Sequence, residues 1–162
     1  MAAFEPAITV VLAHEGGLVN DPGDSGGVTR WGISSRSYPD LNVARLTRTQ
    51  AKAIYRRDWW TRHRYGEIRD QALATTLFDL AVLNPEAAHR ALQQTLGDLG
   101  QPVALDGVMG PQTLAAIAQA DPEALRLGLQ ARMAVFLLGL HRPRFVKGWL
   151  RRALVPDSSL PG

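Results

Sequence analysis

The sequence lacks cysteine, has only two lysines among its 18 basic residues and contains no long hydrophobic run. Without cysteine there is no thiol nucleophile, no disulfide and no cysteine-ligated zinc site. The longest apolar stretch, residues 133–140, is far shorter than the ~20 residues of a membrane-spanning helix. The first residues, MAAFEPAITVV, show neither the basic region nor the apolar core of a signal peptide. We therefore expect a protein made in the cytoplasm without an export signal of its own.

Arginine supplies most of the positive charge, and this charge is unevenly distributed. Residues 45–64 hold seven basic side chains and one acid, and the stretch from Arg142 to Arg152 holds five basic side chains and no acid. Guanidinium groups pair well with carboxylates and phosphates, so an anionic polymer is an expected partner. The sign reverses at residues 14–24, where Glu15, Asp21 and Asp24 occur without a lysine or arginine. This acidic segment is the first indication of a functional site.

Apolar residues recur at helical spacing along most of the chain, which predicts a mainly α fold. Residues 16–28 are predicted as a loop, and residues 28–34 as a short β-hairpin beside it. Gly97 is predicted to end a helix, and the chain from 142 to 152 to form a last, basic helix. The predicted helix boundaries are the C-terminal pair Gly16-Gly17, the capping box of Thr47 with Gln50, the cap Asp70, and the starts Asn84-Pro85, Gly110-Pro111 and Asp121-Pro122.

Glu15 is placed in the last turn of the first predicted helix. There the negative end of the helix dipole disfavours a carboxylate and favours the protonated form that a general acid needs. Asp24 follows on the glycine-rich loop, and Thr29 on the extended segment after it. Two carboxylates that flank one bond are the requirement of glycoside hydrolysis. The alternatives are a solvated glutamate at a frayed helix end and a loop whose Asn and Asp residues only form turns.

Candidate substrate-binding residues come from the same loop and from a group of aromatic residues. Six of the seven Trp and Tyr residues lie between positions 31 and 65. Rings with a polar edge suit half-wet surfaces such as sugar clefts. The candidates are Asn20, Asp21, Trp31, Trp59 and Trp60.

No metal or cofactor is expected. The histidines at positions 14, 63, 89 and 141 do not have metal-ligand spacing. The DPGD segment lacks the alternating oxygen ligands and the closing glutamate of an EF-hand loop.

The segment HEGGLVNDPGDSGGVTRWGIS resembles the opening motif of the glycoside hydrolase family 108 muramidases, EGG-x-x-NDP-x-D-x-GG-x-T-x-x-GI. These proteins are phage and prophage endolysins and related bacterial secretion activators. Further on, IYRRDWW and FDLAV are similar to later helices of the family, and DGVMGPQTLAAI resembles its C-terminal peptidoglycan-binding-like segment. The matched positions of the opening motif are Glu15, Gly16, Gly17, Asn20, Asp21, Pro22, Asp24, Gly26, Gly27, Thr29, Gly32 and Ile33.

The resemblance implies a lysozyme-like fold with Glu15 as the catalytic acid. The order of Glu, then Asp nine residues on, then Thr is similar to the Glu–Asp–Thr set of phage-type lysozymes, which implies catalytic roles for Asp24 and Thr29. Here Thr29 follows Asp24 by five residues, whereas the similar set has six. The family usually continues FDxAV with Asn, but this chain has Leu83 at that point and Asn84 one residue later. Asn84 is a further substrate-binding candidate on this basis.

These observations predict an endolysin-type muramidase that cleaves the β-1,4 bond between N-acetylmuramic acid and N-acetylglucosamine in peptidoglycan and so lyses the cell wall. Glu15 is expected to protonate the glycosidic oxygen, and Asp24, with Thr29, to position water or stabilise positive charge. One alternative is a lytic transglycosylase, which uses a single glutamate and no water. The other is a non-catalytic peptidoglycan-binding phage component. The Asp24–Thr29 pair disfavours the first alternative, and an acid at a helix end disfavours the second.

Residues 1–84 are predicted to form the catalytic region, residues 85–153 a peptidoglycan-binding-like region packed on it, and residues 154–162 a disordered tail. The expected partner is peptidoglycan, reached in the periplasm after holin-assisted release, and the protein is expected to be a monomer. No nucleic acid is expected, because the arginine-rich stretches carry no binding motif. The cations from Arg142 to Arg152, interleaved with Phe145 and Trp149, suggest a basic amphipathic helix that contacts anionic membranes. The alternative is a terminal helix packed on the core.

Overall fold

The computed structural model describes residues 1–20 and 27–154, apart from the side chains of residues 19, 20, 143 and 144. Within these ranges the chain forms seven α-helices and one small antiparallel sheet, which confirms the mainly α fold class. The helices are α1 (Phe4–Glu15), α2 (Arg48–Tyr55), α3 (Gln71–Leu83), α4 (Pro85–Asp98), α5 (Pro111–Gln119), α6 (Pro122–Gly139) and α7 (Pro143–Leu154).

The helices begin where the capping residues predict. Thr47 and Gln50 form both bonds of the capping box at the start of α2. The side chains of Asp70, Asn84 and Asp121 each accept a hydrogen bond from a backbone N–H in the first turn of α3, α4 and α6, respectively. These bonds satisfy donors that a helix leaves unpaired at its N-terminus, so they depend only on local sequence.

The predicted end of α4 at Gly97 is wrong, because the helix continues to Asp98. A glycine inside a helix costs only about 1 kcal/mol relative to alanine. Burial of Leu92 and Leu96 against the core offsets that cost. The chain leaves the helical path at Gly100, whose φ of 78° is the left-handed conformation that favours glycine.

The central helix of the molecule is α3. Nine of its 13 residues are buried, and it contacts α1, α4, α6 and α7. A helix enclosed on all sides must be apolar around its circumference. Its sequence, QALATTLFDLAVL, nevertheless contains one charged residue, Asp79, which is only 3% exposed. A buried charge requires a partner, so Asp79 marks the place where another element must supply one.

The sheet contains three short strands in the order β1 (Leu18–Asn20), β2 (Val28–Arg30) and β3 (Ile33–Ser34) within the described residues. The predicted hairpin is confirmed as β2 and β3. Strand β1 lies inside residues 16–28, which were predicted as a loop, so that prediction is wrong for its three residues. They pair with Val28–Arg30 through the backbone, and no pattern of side chains within so short a segment announces the pairing.

Helix α7 packs against α6 and α3. Ala153 is fully buried near its end, while Phe145 and Leu154 are exposed. Leu154 belongs to the helix, and the rest of the predicted tail, residues 155–162, lies outside the described residues. None of the helices in the described part of the chain combines the length and the hydropathy that a membrane span requires.

A buried histidine joins α4 to the segments on either side of it. His89 is 1% exposed; its Nε2 lies 2.7 Å from the hydroxyl of Tyr65 and its Nδ1 lies 2.9 Å from the carbonyl oxygen of Gly107. Because a carbonyl can only accept, we assign the ring proton to Nδ1 and the Tyr65 hydroxyl as the donor to Nε2. Burial, and then the charge of His63, lower the pKa of His89 to about 4.

We predict that acid destabilises the protein through His89. An unfolded histidine has a pKa of about 6.5, so the unfolded state binds more protons as the pH falls from there towards the folded value. The stability that neutral His89 provides is therefore present above pH ~6.5 and is reduced by about 2–3 kcal/mol at pH ~4.5. Urea unfolding at pH 7 and pH 4.5 measures the loss of stability in the wild type and in His89→Gln. The carboxylates contribute equally in both proteins, so the difference between the two losses reports His89. Equal pH dependence in the two proteins would contradict this assignment.

Candidate active site

Glu15 is the last residue of α1, as predicted, and Gly16 ends the helix with a φ of 68°. Its side chain is 18% exposed, so the carboxylate is mostly shielded from solvent by the described residues. Arg152, in α7, donates a hydrogen bond to Glu15 Oε1.

Arg152 also binds the buried carboxylate of α3. Its Nε lies 2.9 Å from Asp79 Oδ2 and its Nη2 lies 2.8 Å from Asp79 Oδ1, so the two side chains form a bidentate ion pair. His14 Nδ1 lies 3.0 Å from Asp79 Oδ2. Asp79 therefore receives three bonds, and α1, α3 and α7 meet at these four side chains.

The ion pairs outweigh the burial of the arginine. The side chain of Arg152 is 7% exposed, and burial by itself lowers the pKa of Arg152. The charges of Asp79 and then Glu15 raise it by more, so the net shift is upwards. The guanidinium is thus a fixed positive charge in a low-dielectric environment, where its bonds to carboxylates are strong.

The β-hairpin approaches Glu15 from the opposite side. Trp31 and Gly32 form the two-residue turn between β2 and β3, with φ values of 54° and 76°, which identifies a type I′ turn. A β-carbon on Gly32 would lie 2.6 Å from Glu15 Oε2 and would also collide with the hydroxyl of Tyr55. Only glycine fits between the turn and the carboxylate.

Tyr55 fastens the turn to α2. It is fully buried, and its hydroxyl donates a hydrogen bond of 3.0 Å to the carbonyl oxygen of Trp31. Burial, and then the charge of Glu15, raise the pKa of Tyr55 far above its ordinary value, so the phenol stays a donor. This bond holds Trp31 in the left-handed conformation, which is uncommon for a residue other than glycine.

A pocket of about 340 Å³ opens beside Glu15. The apolar part of its lining comes from the end of α3 and from α7. The pocket is lined by His14, Glu15, Leu83, Phe145, Gly148, Trp149 and Arg152.

The predicted catalytic partners of Glu15 are only partly within the described residues. Asp24 and Asp21 lie outside them. Asn20 pairs with Val28 through the backbone at the end of β1. Thr29 is half-buried in the middle of β2, between Val19 and Ser34, and three residues before the glycine that contacts Glu15.

Two of the predicted substrate-binding tryptophans lie near the hairpin. Trp31 is half-buried in its turn, and its indole nitrogen has no hydrogen-bond partner among the described residues. Trp59 is half-buried, with its ring 5.1 Å from that of Tyr55.

The prediction for Trp60 is wrong. Its ring is 7% exposed and makes edge contacts with Phe4, Tyr65 and Phe78 in the core. Residues Arg56–Thr61 form a π-helical turn after α2, which widens the helix and directs Trp60 inward.

The prediction for Asn84 is not supported by its position. Its side-chain oxygen accepts the N–H of Ala87 at 2.9 Å and so caps α4, and it borders a groove formed by α4 and α6. Leu83 instead lines the pocket beside Glu15. Asn84 comes just after the end of α3, where the backbone is extended with φ -160° and ψ 104°, so it serves as the N-cap of α4.

Sequence reasoning missed Asp79, Arg152 and the two aromatic residues of α7. Asp79 did carry a signal, since it is the single charge in an otherwise uncharged helix. Arg152 is one of four cations in α7, and nothing local distinguishes it from its exposed neighbour Arg151. Among the described residues, no group of three or more His, Cys, Asp or Glu side chains is arranged to hold a metal ion.

Comparison with known proteins finds matches over both halves of the chain. Residues 8–84 match the family model described as Glycosyl hydrolase 108, and residues 87–154 match the one described as Predicted Peptidoglycan domain. A solved structure titled "Structure of Brucella abortus SagA" is 30% identical, with a TM-score of 0.81, and the alignment covers 96% of this chain and 91% of that one. No curated protein matches the chain.

We predict that Gly32→Ala destabilises the protein much more than Gly100→Ala. Both glycines have a positive φ, so both substitutions introduce backbone strain of about 1–2 kcal/mol. A β-carbon at Gly100 meets nothing within 4 Å, whereas at Gly32 it overlaps Glu15 and Tyr55, which adds about 1–3 kcal/mol. Urea denaturation measures the difference, and a crystal structure of Gly32→Ala should show the Glu15 carboxylate displaced. Equal losses would mean that the turn does not press on Glu15.

Proposed function

We propose that this chain, which belongs to the glycosyl hydrolase 108 family, cleaves the β-1,4 bond between N-acetylmuramic acid and N-acetylglucosamine with Glu15 as the general acid. Membership of that family makes it a peptidoglycan-degrading glycoside hydrolase of the muramidase class. The observation that carries the proposal is the position of Glu15. Its carboxylate lies at the end of α1, mostly shielded from solvent, and opens onto a pocket large enough for sugar rings.

Arg152 determines which oxygen of Glu15 transfers the proton. The guanidinium can only donate, so in the neutral acid it binds the carbonyl oxygen, Oε1. The proton is then carried by Oε2. When Oε2 gives the proton to the glycosidic oxygen, Glu15 becomes a carboxylate, and its attraction to Arg152 increases. Arg152 therefore stabilises the charge that develops during bond cleavage, as differential binding of a transition state requires.

Asp24 and Thr29 complete the proposed mechanism. The sugar develops positive charge as the bond breaks, and a second carboxylate can stabilise it or orient the attacking water. Asp24 has this role in our proposal, with Thr29 as a hydroxyl partner. Support for Thr29 comes from its position on β2, next to the turn that meets Glu15.

The cellular role that we propose is that of an endolysin. Such an enzyme acts in the periplasm after holin-assisted release and works as a monomer. Attraction between the basic protein and the anionic cell wall would favour encounter and weaken as the salt concentration rises. An additional hypothesis is that the basic segment from Arg142 to Arg152 contacts anionic membranes. Arg142, Lys147 and Arg151 are exposed and could make this contact.

We predict that Glu15→Gln abolishes the release of fragments with reducing N-acetylmuramic acid ends from purified peptidoglycan. The amide cannot donate a proton as an acid, and loss of general acid catalysis typically reduces rates by about 100- to 10,000-fold. Mass spectrometry of the digests measures this release for the wild type, for Glu15→Gln and for the exposed control Glu123→Gln.

Two outcomes would contradict this proposal. Anhydro ends, lighter by one water, would identify a lytic transglycosylase. A wild-type protein that binds the wall but leaves it undigested would be a binding protein without catalytic activity.

We predict that Arg152→Ala lowers both stability and kcat. Removing one partner of a buried ion pair leaves the other uncompensated and costs about 3–5 kcal/mol. Activity is therefore compared well below the melting temperature, with Arg152→Lys as the conservative variant and Arg132→Ala as the control at an exposed ion pair. Lysine keeps the charge but cannot bind Asp79 with two parallel bonds, so it should restore kcat only in part. A folded Arg152→Ala with wild-type kcat would exclude the role given to Arg152.

A further inference from the structure

Phe145 and Trp149 form a stacked pair of rings on α7. They lie one helical turn apart, with ring centroids separated by 5.6 Å and ring planes inclined by 21°. Phe145 is 43% exposed, and Trp149 is half-buried against the core. Large aromatic side chains are usually withdrawn from solvent, so an exposed ring beside a second ring on the same helix face marks a candidate binding surface.

The ring pair borders the pocket that contains Glu15. Phe145 and Trp149 line this pocket together with Leu83, which gives it an apolar wall. The space beside the rings is open, because a β-carbon on Gly148 would meet nothing within 4 Å. A molecule that occupies this pocket can therefore contact both rings and Glu15.

The chemistry of the wall suits a sugar. A pyranose ring presents C–H groups on its faces and hydroxyl groups at its edge. Its faces can pack on aromatic rings while the hydroxyl groups remain in contact with solvent or polar side chains. Leu83 adds an apolar surface but no hydrogen-bonding group, so the wall selects by stacking rather than by polar recognition.

We propose that Phe145 and Trp149 form a sugar-binding subsite for the glycan strand, occupied by a pyranose ring next to the bond that is cleaved. The inference rests on the proposed role of Glu15. It assigns substrate binding to the last helix of the chain, within the region that matches the peptidoglycan model, and places that binding directly at the reacting bond.

The test measures binding in a protein that cannot cleave. In a Glu15→Gln background, the dissociation constant of the tetrasaccharide GlcNAc–MurNAc–GlcNAc–MurNAc is determined by calorimetry. Phe145→Ala and Trp149→Ala are compared with Phe145→Trp, which keeps an aromatic ring, and with Val135→Ala, an exposed apolar residue on α6 outside this pocket. We expect the two alanine variants to bind about tenfold more weakly, and the other two to bind like the parent.

A second measurement uses the active enzyme. Loss of a contact that binds substrate and transition state equally raises KM and leaves kcat unchanged. We therefore expect Phe145→Ala to raise KM for soluble glycan strands about tenfold with kcat retained. Because Phe145 is exposed, this variant tests the subsite even where Trp149→Ala fails to fold.

The outcomes separate the subsite from the proposed function. If the wild type cleaves glycan but the alanine variants bind like the parent, the subsite is wrong and the function stands. If the wild type cleaves nothing but binding still depends on the rings, the subsite is supported and the function is wrong. If Phe145→Ala reduces leakage from phosphatidylglycerol vesicles and leaves tetrasaccharide binding unchanged, the rings serve a membrane and the subsite is wrong.

Discussion

The contact of Arg152 with Asp79 and Glu15 is the interaction on which the rest of the site depends. Asp79 lies inside the most enclosed helix of the protein, where an unpaired carboxylate would be costly. Arg152 compensates that charge from the last helix and contacts Glu15 with the same guanidinium. The region that matches the peptidoglycan model therefore contacts the proposed catalytic acid directly.

The hairpin constrains the same carboxylate from the other side. Trp31 and Gly32 both have left-handed backbone conformations, and Tyr55 holds the carbonyl oxygen of Trp31 from α2. Such strain persists only where the surroundings determine it, and here it brings the turn into contact with Glu15. Glu15 is thus held between the turn and a buried cation, and it lines the pocket beside them. A fixed orientation of this kind suits the role of general acid that we propose for Glu15.

Much of the fold follows from local sequence. Capping residues and the helical spacing of apolar side chains predict the helix starts, because those interactions join residues three or four positions apart. Residues whose role depends on distant partners were less predictable. Trp60 is of a residue type that suits a sugar cleft, but the π-helical turn directs it into the core. Asn84 is used as a cap, and strand β1 forms only because β2 returns beside it.

The sequence by itself determined the helical architecture and the position of Glu15 at a helix end, since both depend on short-range hydrogen bonding and on the glycines that follow. It also carried the motif from which the enzyme family could be inferred. Only the tertiary structure decided which of the four cations in α7 reaches Glu15, and that the aromatic residues of this helix line the same pocket. Residues 15 and 152 are separated by 137 positions, and no local pattern records a contact that long-range packing alone creates.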